Sequence, residues 1–152
     1  MLRINLNHYV DTVIYSADKI IRNLKMVLRQ KIESLDIGIT SEQFLVLDTI
    51  CCYPNIHQQK LSKIIMKDKS NTTRILKILE QQGLICKTAG KKDSRLVYFL
   101  NITPKGQKII DENIPKLRDF IAITCSILTD DEVSFLHKLG ERLEKGLSIN
   151  EK

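Results

Sequence analysis

The chain has 152 residues, 43% of them hydrophobic and 28% charged, with four cysteines, six glycines and three prolines. Those proportions fit one globular domain and are too apolar for a disordered segment. The absence of an apolar run of about 18 residues, of a leader with a cleavage site over Met1–Asn7 and of an even cysteine framework excludes membrane-spanning, secreted and disulfide-scaffold readings.

The net charge of +6 is unevenly placed. Residues 57–95 hold ten basic and three acidic residues, a local charge of +7, and the rest of the chain carries −1. Such a cluster suits a polyanion-binding surface, where each phosphate contact releases counterions. A solvated face that only keeps the protein soluble remains open on charge alone.

The first predicted element is an amphipathic helix from Asn5 to Leu35, with Leu6, Val10, Val13, Ile14, Ile20, Ile21, Leu24, Leu28 and Ile32 on one face. At about 1.5 Å per residue it is roughly 45 Å long. That is more than a small core covers, so one end is expected to pack on another subunit. Thr40 begins a second helix, with Gln43 closing a capping box and Ile39 stapling onto Phe44. Phe44, Leu45, Val46, Leu47 and Ile50 point to the core, and the helix ends at Cys51-Cys52-Tyr53-Pro54.

Two short helices follow. The first runs from His57, placed to cap it or to meet a phosphate, to Ile65, with Leu61, Ile64 and Ile65 apolar. The second covers Lys69 to Gln82, with Asp68 as N-cap and Gly83 as stop. Its apolar side is Thr72, Ile75, Ile78 and Leu79, with Leu76 at the margin. Its outer face is Ser70, Asn71, Thr73, Arg74, Lys77 and Gln81.

Beyond Gly83 the period shifts towards two. Leu84–Lys87 and Arg95–Ile102 read as strands of a hairpin with a basic turn over Ala89–Ser94. Thr103-Pro104 opens a long helix carrying Ile109, Ile110, Ile114, Leu117, Ile121 and Cys125, which Pro115 is expected to kink. Thr129 and Glu132 make a second capping box. The last helix presents Val133, Leu136, Leu139, Leu143 and Leu147.

Helix, turn, helix and basic hairpin form a winged helix-turn-helix pattern. A helix fits the DNA major groove, and Ser70, Asn71, Thr73 and Arg74 are side chains able to meet base edges. Lys91, Lys92 and Arg95 at the hairpin tip suit a minor groove. The predicted fold is mainly α with a small β-hairpin wing, the winged lobe over residues 40–103 being flanked by long terminal helices over 1–36 and 104–150 within a single domain.

The segments Leu61-Ser62-Lys63-Ile64-Ile65, Asp68-Lys69-Ser70-Asn71-Thr72-Thr73-Arg74 and Leu79-Glu80-Gln81-Gln82-Gly83-Leu84-Ile85 resemble the MarR family of bacterial transcriptional regulators. So do Asp93 with Arg95 in the wing and Ile102, Thr103 and Gly106 after it. The chain departs from the family where Met66 and Lys67 occupy a turn that often holds Gly and an apolar residue, and where Ser94 occupies an often basic wing position.

The resemblance implies a cytoplasmic homodimer whose terminal helices interleave. Its two lobes would read a palindromic operator on double-stranded DNA, as a repressor released by a small aromatic or anionic effector. It implies Ser70, Asn71, Thr73 and Arg74 at bases or phosphates, Lys77 at the backbone, and Arg95 in the minor groove. Asp93 would orient Arg95. No ligand-binding residue is singled out.

Other functions find less support. Family members that sense oxidation place a cysteine near the start of the first helix, and this chain has none there. Cys51, Cys52, Cys86 and Cys125 are expected to be buried structural thiols, with Cys51 or Cys52 as the redox alternative. His8, His57 and His137 are scattered, so no metal site and no cofactor are expected. Catalytic fingerprints are missing, and the chain reads as no enzyme. A winged-helix protein–protein assembly module is the remaining alternative, one that would call for a neutral or acidic wing.

Overall fold

The computed structural model describes His8, residues 12–92 and residues 95–149, which fall into two compact units, residues 1–117 and 118–152. The described elements are α1 (Val13–Ser34), α2 (Ser41–Cys52), β1 (Ile56–His57), α3 (Gln58–Ile64), α4 (Lys69–Gln81), β2 (Ile85–Lys92), β3 (Arg95–Ile102), α5 (Pro104–Cys125) and α6 (Asp130–Ile149). The mainly helical winged architecture expected from the sequence is what forms.

The first helix starts later than its apolar period suggests. Asn5 lies outside the described residues, but Thr12 has extended backbone and its side chain accepts the Tyr15 N–H as N-cap of α1. The cap sets the start because it satisfies an amide the helix leaves open. Only Ile32 of α1 is buried, with Leu28 and Leu35 packed partly on the core. Val13, Ile14, Ile20, Ile21, Leu24 and Met26 stay exposed, Val13 at 68%.

The capping box of α2 forms in full, Thr40 accepting from Gln43 N and the Gln43 side chain from Thr40 N. Phe44, Val46, Leu47 and Ile50 are buried as expected, whereas Leu45 is exposed. Four consecutive positions of a helix sweep most of its circumference, so a run of apolar residues cannot all face one core. On α3, His57 acts as the N-cap, its Nδ1 accepting the Lys60 N–H. Leu61 and Ile65 are buried and Ile64 is exposed.

Two Schellman turns punctuate the lobe. At the end of α3, Met66 donates to the Lys63 carbonyl and Lys67 to that of Ser62. At the end of α4, Gly83 donates to Glu80 and Leu84 to Leu79. The residue in the left-handed conformation is Met66 (φ 52°) in the first and Gly83 (φ 68°) in the second. On α4, Asp68 caps Asn71 as expected, and Thr72, Ile75 and Leu79 are buried. Leu76, expected at the margin, is 1% exposed, and Ile78 is only half-buried. Packing against α2 and the sheet reaches further round the helix than its hydrophobic period indicates.

The sheet is antiparallel, in the order β1-β3-β2. Strand β1, which the sequence analysis missed, pairs Ile56 with Leu100 and His57 with Phe99. Strand β2 extends five residues past Lys87, through most of the segment expected to be a turn, and reaches the pair Lys92–Arg95. Thr103 then anchors α5. Its N–H donates to Leu84 O, its hydroxyl donates to Gly83 O, and its Oγ1 accepts from Gly106 N. Gly106 is buried, and a Cβ there would lie 2.2 Å from the Leu84 carbonyl oxygen. Helix α5 continues through Pro115.

In the second unit, α6 opens on the expected box, with Thr129 and Glu132 exchanging hydrogen bonds. The backbone N–H of Thr129, assisted by its hydroxyl, holds the Glu132 carboxyl below its ordinary pKa. Ile121, Ile123, Ile127, Phe135, Leu136 and Leu143 are exposed in this unit, Ile127 at 84%.

Candidate nucleic-acid interface

Helices α3 and α4 meet through hydrogen bonds as well as apolar packing. Thr72 is fully buried, its hydroxyl donates to Asp68 O at 2.8 Å, and its Oγ1 lies 3.1 Å from Ser62 Oγ. One turn along, Gln58 Nε2 donates to Thr73 Oγ1 at 2.6 Å and approaches Lys69 O at 3.5 Å. These contacts join the two helices across a turn occupied by Met66 and Lys67. The sequence analysis missed Gln58 because glutamine at a helix start carries no distinctive signal until its partner is known.

Helix α4 turns outward the face its polar stripe describes. Ser70, Thr73, Arg74 and Lys77 are exposed and Asn71 is half-buried. Arg74 Nη2 donates to Asn71 Oδ1 at 3.1 Å. Because arginine only donates, this contact also determines which way the Asn71 amide is turned. Asp68 places its carboxylate over the Asn71 N–H at 2.8 Å. That negative charge offsets the dipole at the start of α4, so attraction for a phosphate falls chiefly to the surrounding lysines.

The lysines divide into two groups. Lys60, Lys63 and Lys69 are exposed near the α3–α4 turn, with Lys60 over the Tyr53 ring at 5.4 Å. A cleft of about 500 Å³ is lined there by Gln58, Gln59, Ser62, Lys63, Met66, Lys67 and Lys69. Lys67 instead pairs with Glu42 at 2.6 Å, and Lys87 with Glu80, tying β2 to α4. Part of the local charge of +7 is therefore structural. In the wing, Lys91 is exposed. Asp93, expected to orient Arg95, lies outside the described residues, as does Ser94. The side chains of Lys92 and Arg95 lie outside them too, although their backbones pair.

The thiols are not the buried groups the sequence suggested. Cys52 and Cys86 are exposed, and Cys51 and Cys125 are half-buried. The expectation rested on the general tendency of free cysteine to be buried, with only Cys125 on an apolar helical face. The end of α2 and the outer face of β2 instead leave Cys52 and Cys86 open to solvent. Cys51 Sγ donates to Gln107 Oε1 at 3.4 Å. Partial desolvation by its neighbours, then the nearby Asp48 charge and Cys51, push the exposed Cys52 thiol above its ordinary pKa, which disfavours the reactive thiolate. Among the described residues no group of three or more His, Cys, Asp or Glu side chains could hold a metal.

A short helix, a tight turn, a second helix locked to it and an antiparallel wing define the winged helix-turn-helix class. Residues 39–97 match the MarR family. The chain is 28% identical over 133 residues to the uncharacterized HTH-type transcriptional regulator YybA of Bacillus subtilis, covering 84% of this chain and 88% of that one. It is 25% identical over 146 residues to the HTH-type transcriptional repressor MdtR of the same organism, covering 90% and 94%. Among solved structures, it is 26% identical to a mutant MarR from E. coli complexed with operator DNA, with a TM-score of 0.72 over 89% of this chain and 96% of that one.

Proposed function

We propose that this protein is a homodimeric transcriptional repressor that binds a palindromic operator, inserting α4 into the major groove and the wing into the neighbouring minor groove. The observation that carries the reading is the outward face of α4, where Ser70, Asn71, Thr73, Arg74 and Lys77 sit on a lobe whose central 39 residues carry +7. Lys91, Lys92 and Arg95 of the wing supply phosphate and minor-groove contacts, with Asp93 orienting Arg95. Phosphate contacts provide most of the affinity, and α4 provides the choice of sequence.

The homodimer reading rests on apolar side chains that a single chain leaves in water: Val13, Ile14 and Ile20 on α1, and Ile123, Ile127 and Phe135 in the second unit. In this reading residues 1–36 and 104–150 supply the dimer helices and 40–103 the DNA lobe. The two copies of α4 are then spaced to match one DNA turn, about 34–36 Å. A small aromatic or anionic effector that alters this spacing releases the operator. The named repressor among the relatives supports the direction of control. The protein acts in the cytoplasm; no described helix is long and apolar enough to cross a membrane.

A redox switch at Cys52 is disfavoured by its raised pKa, and an assembly module by the basic α4 face. The test is binding to the DNA upstream of the protein's own gene, against random duplex, at two salt concentrations. Tight, selective binding with a steep salt slope is expected. Arg74→Ala should lose selectivity while sedimenting as the same oligomer; equal, weak binding to both duplexes would overturn the proposal.

A further inference from the structure

We infer that α4 reads each half-site through a guanine, held by an Asn71-braced Arg74, and through a thymine methyl touched by Thr73, and that Gln58 of α3 is the positioning residue that turns the Thr73 hydroxyl away from the bases. The inference rests on the operator-binding reading above and specifies the chemistry of the DNA it selects.

Thr73 carries one hydroxyl proton, and that proton is given to Lys69 O at 2.7 Å. One of its lone pairs takes the Gln58 amide proton at 2.6 Å. Donation to the N7 or O6 acceptors of a purine would require breaking the first bond. The side chain is nevertheless exposed, and beside one remaining lone pair on Oγ1 the part of it left to meet a base edge is the Cγ2 methyl. An apolar group in the major groove finds its partner in the C5 methyl of thymine.

Asn71 and Arg74 divide the other contact. Asparagine recognises adenine by using its carbonyl and amide together, but Asn71 Oδ1 already accepts from Arg74 Nη2 at 3.1 Å. One Oδ1 lone pair is thereby taken, which competes with the paired carbonyl-and-amide contact to adenine. The pair presents mainly donors: the Asn71 NH₂ and the remaining guanidinium N–H groups. Guanine, with O6 and N7 side by side, is the base edge that offers two adjacent acceptors to the major groove. The Asn71 bond fixes the guanidinium plane and reduces the rotamer freedom lost on binding.

The experiment begins with selection of duplexes from a random-sequence pool by the full-length chain. In the selected half-site, each thymine is then replaced by uracil, which deletes only the methyl, and each guanine by 7-deazaguanine, which deletes only N7. One thymine is expected to show about a fourfold loss with uracil, the worth of one buried methyl. One guanine is expected to show about a tenfold loss with its deaza analogue. Thr73→Ser should abolish the uracil effect and Thr73→Val should keep it. Arg74→Ala should abolish the deaza effect, and Gln58→Ala should shrink the thymine-to-uracil ratio while leaving the salt slope unchanged.

A selected site with no uracil-sensitive thymine, or a Thr73→Ser protein that still distinguishes thymine from uracil, would overturn the inference and leave operator binding standing. Recovery of no sequence at all would overturn both.

Discussion

Met66 and Gly83 occupy the same place in two Schellman turns, so exchanging their chemistry tests the account of the lobe. Met66 adopts φ 52°, a conformation that costs a residue with a Cβ about 1–2 kcal/mol. Its side chain is 92% exposed, so Met66→Gly loses almost no burial. Glycine loosens the unfolded chain, which offsets about 0.4–1 kcal/mol of the gain. The net expectation is a stabilisation of about 0.5–1 kcal/mol, a rise in Tm of roughly 1–4 °C for a chain of this size.

Gly83→Ala should do the reverse. Its φ is 68° and a Cβ would meet nothing within 4 Å, so the loss of about 0.5–1 kcal/mol is purely conformational. Urea unfolding of the two variants and the parent, at equal protein concentration, is the assay. The midpoints should move in opposite directions with unchanged slopes. A Met66→Gly protein less stable than the parent by about 0.5 kcal/mol or more would refute the reasoning, because the side chain would then be making a contact the exposed turn does not provide.

Gly106→Ala presses a methyl against the Leu84 carbonyl, 2.2 Å away, and backbone cannot move aside as a flexible side chain can. A loss of about 1–3 kcal/mol in chemical unfolding is expected, and unchanged stability would show that the wing does not abut α5 there. Leu79→Ala empties a fully buried site and should cost about 2–5 kcal/mol in the same assay. Burial raises the Asp48 carboxyl pKa above its ordinary 3.8. The stability this group contributes is therefore present below pH 3.8 and is lost as pH rises through the elevated value. Asp48→Asn should consequently be more stable than the parent at pH 7, with the difference closing below pH 3.8; a difference independent of pH would exclude burial of the charge as its cause.

The features legible in the sequence were those whose partners lie within a turn. Thr40 with Gln43, Asp68 with Asn71, Thr103 with Gly106 and Thr129 with Glu132 form the hydrogen bonds their three-residue spacing implies, because a cap needs only its own helix. The outer face of α4 was readable for the same reason: helical geometry fixes which side chains share a side.

Tertiary structure decided whatever depends on a distant partner. Strand β1 is two residues long and exists because Leu100 and Phe99 lie beside it. Leu76 faces the core because α2 and the sheet pack round that side of α4, which a one-dimensional pattern does not contain. Lys87 is drawn from the basic surface into a pair with Glu80. Gln58 takes hold of Thr73 across 15 positions of sequence. The sequence determined by itself which face can meet DNA, through short-range geometry. Which atoms of that face remain available was decided only when α3 closed on α4, since a hydrogen bond between helices uses up donors and acceptors that local spacing leaves unassigned.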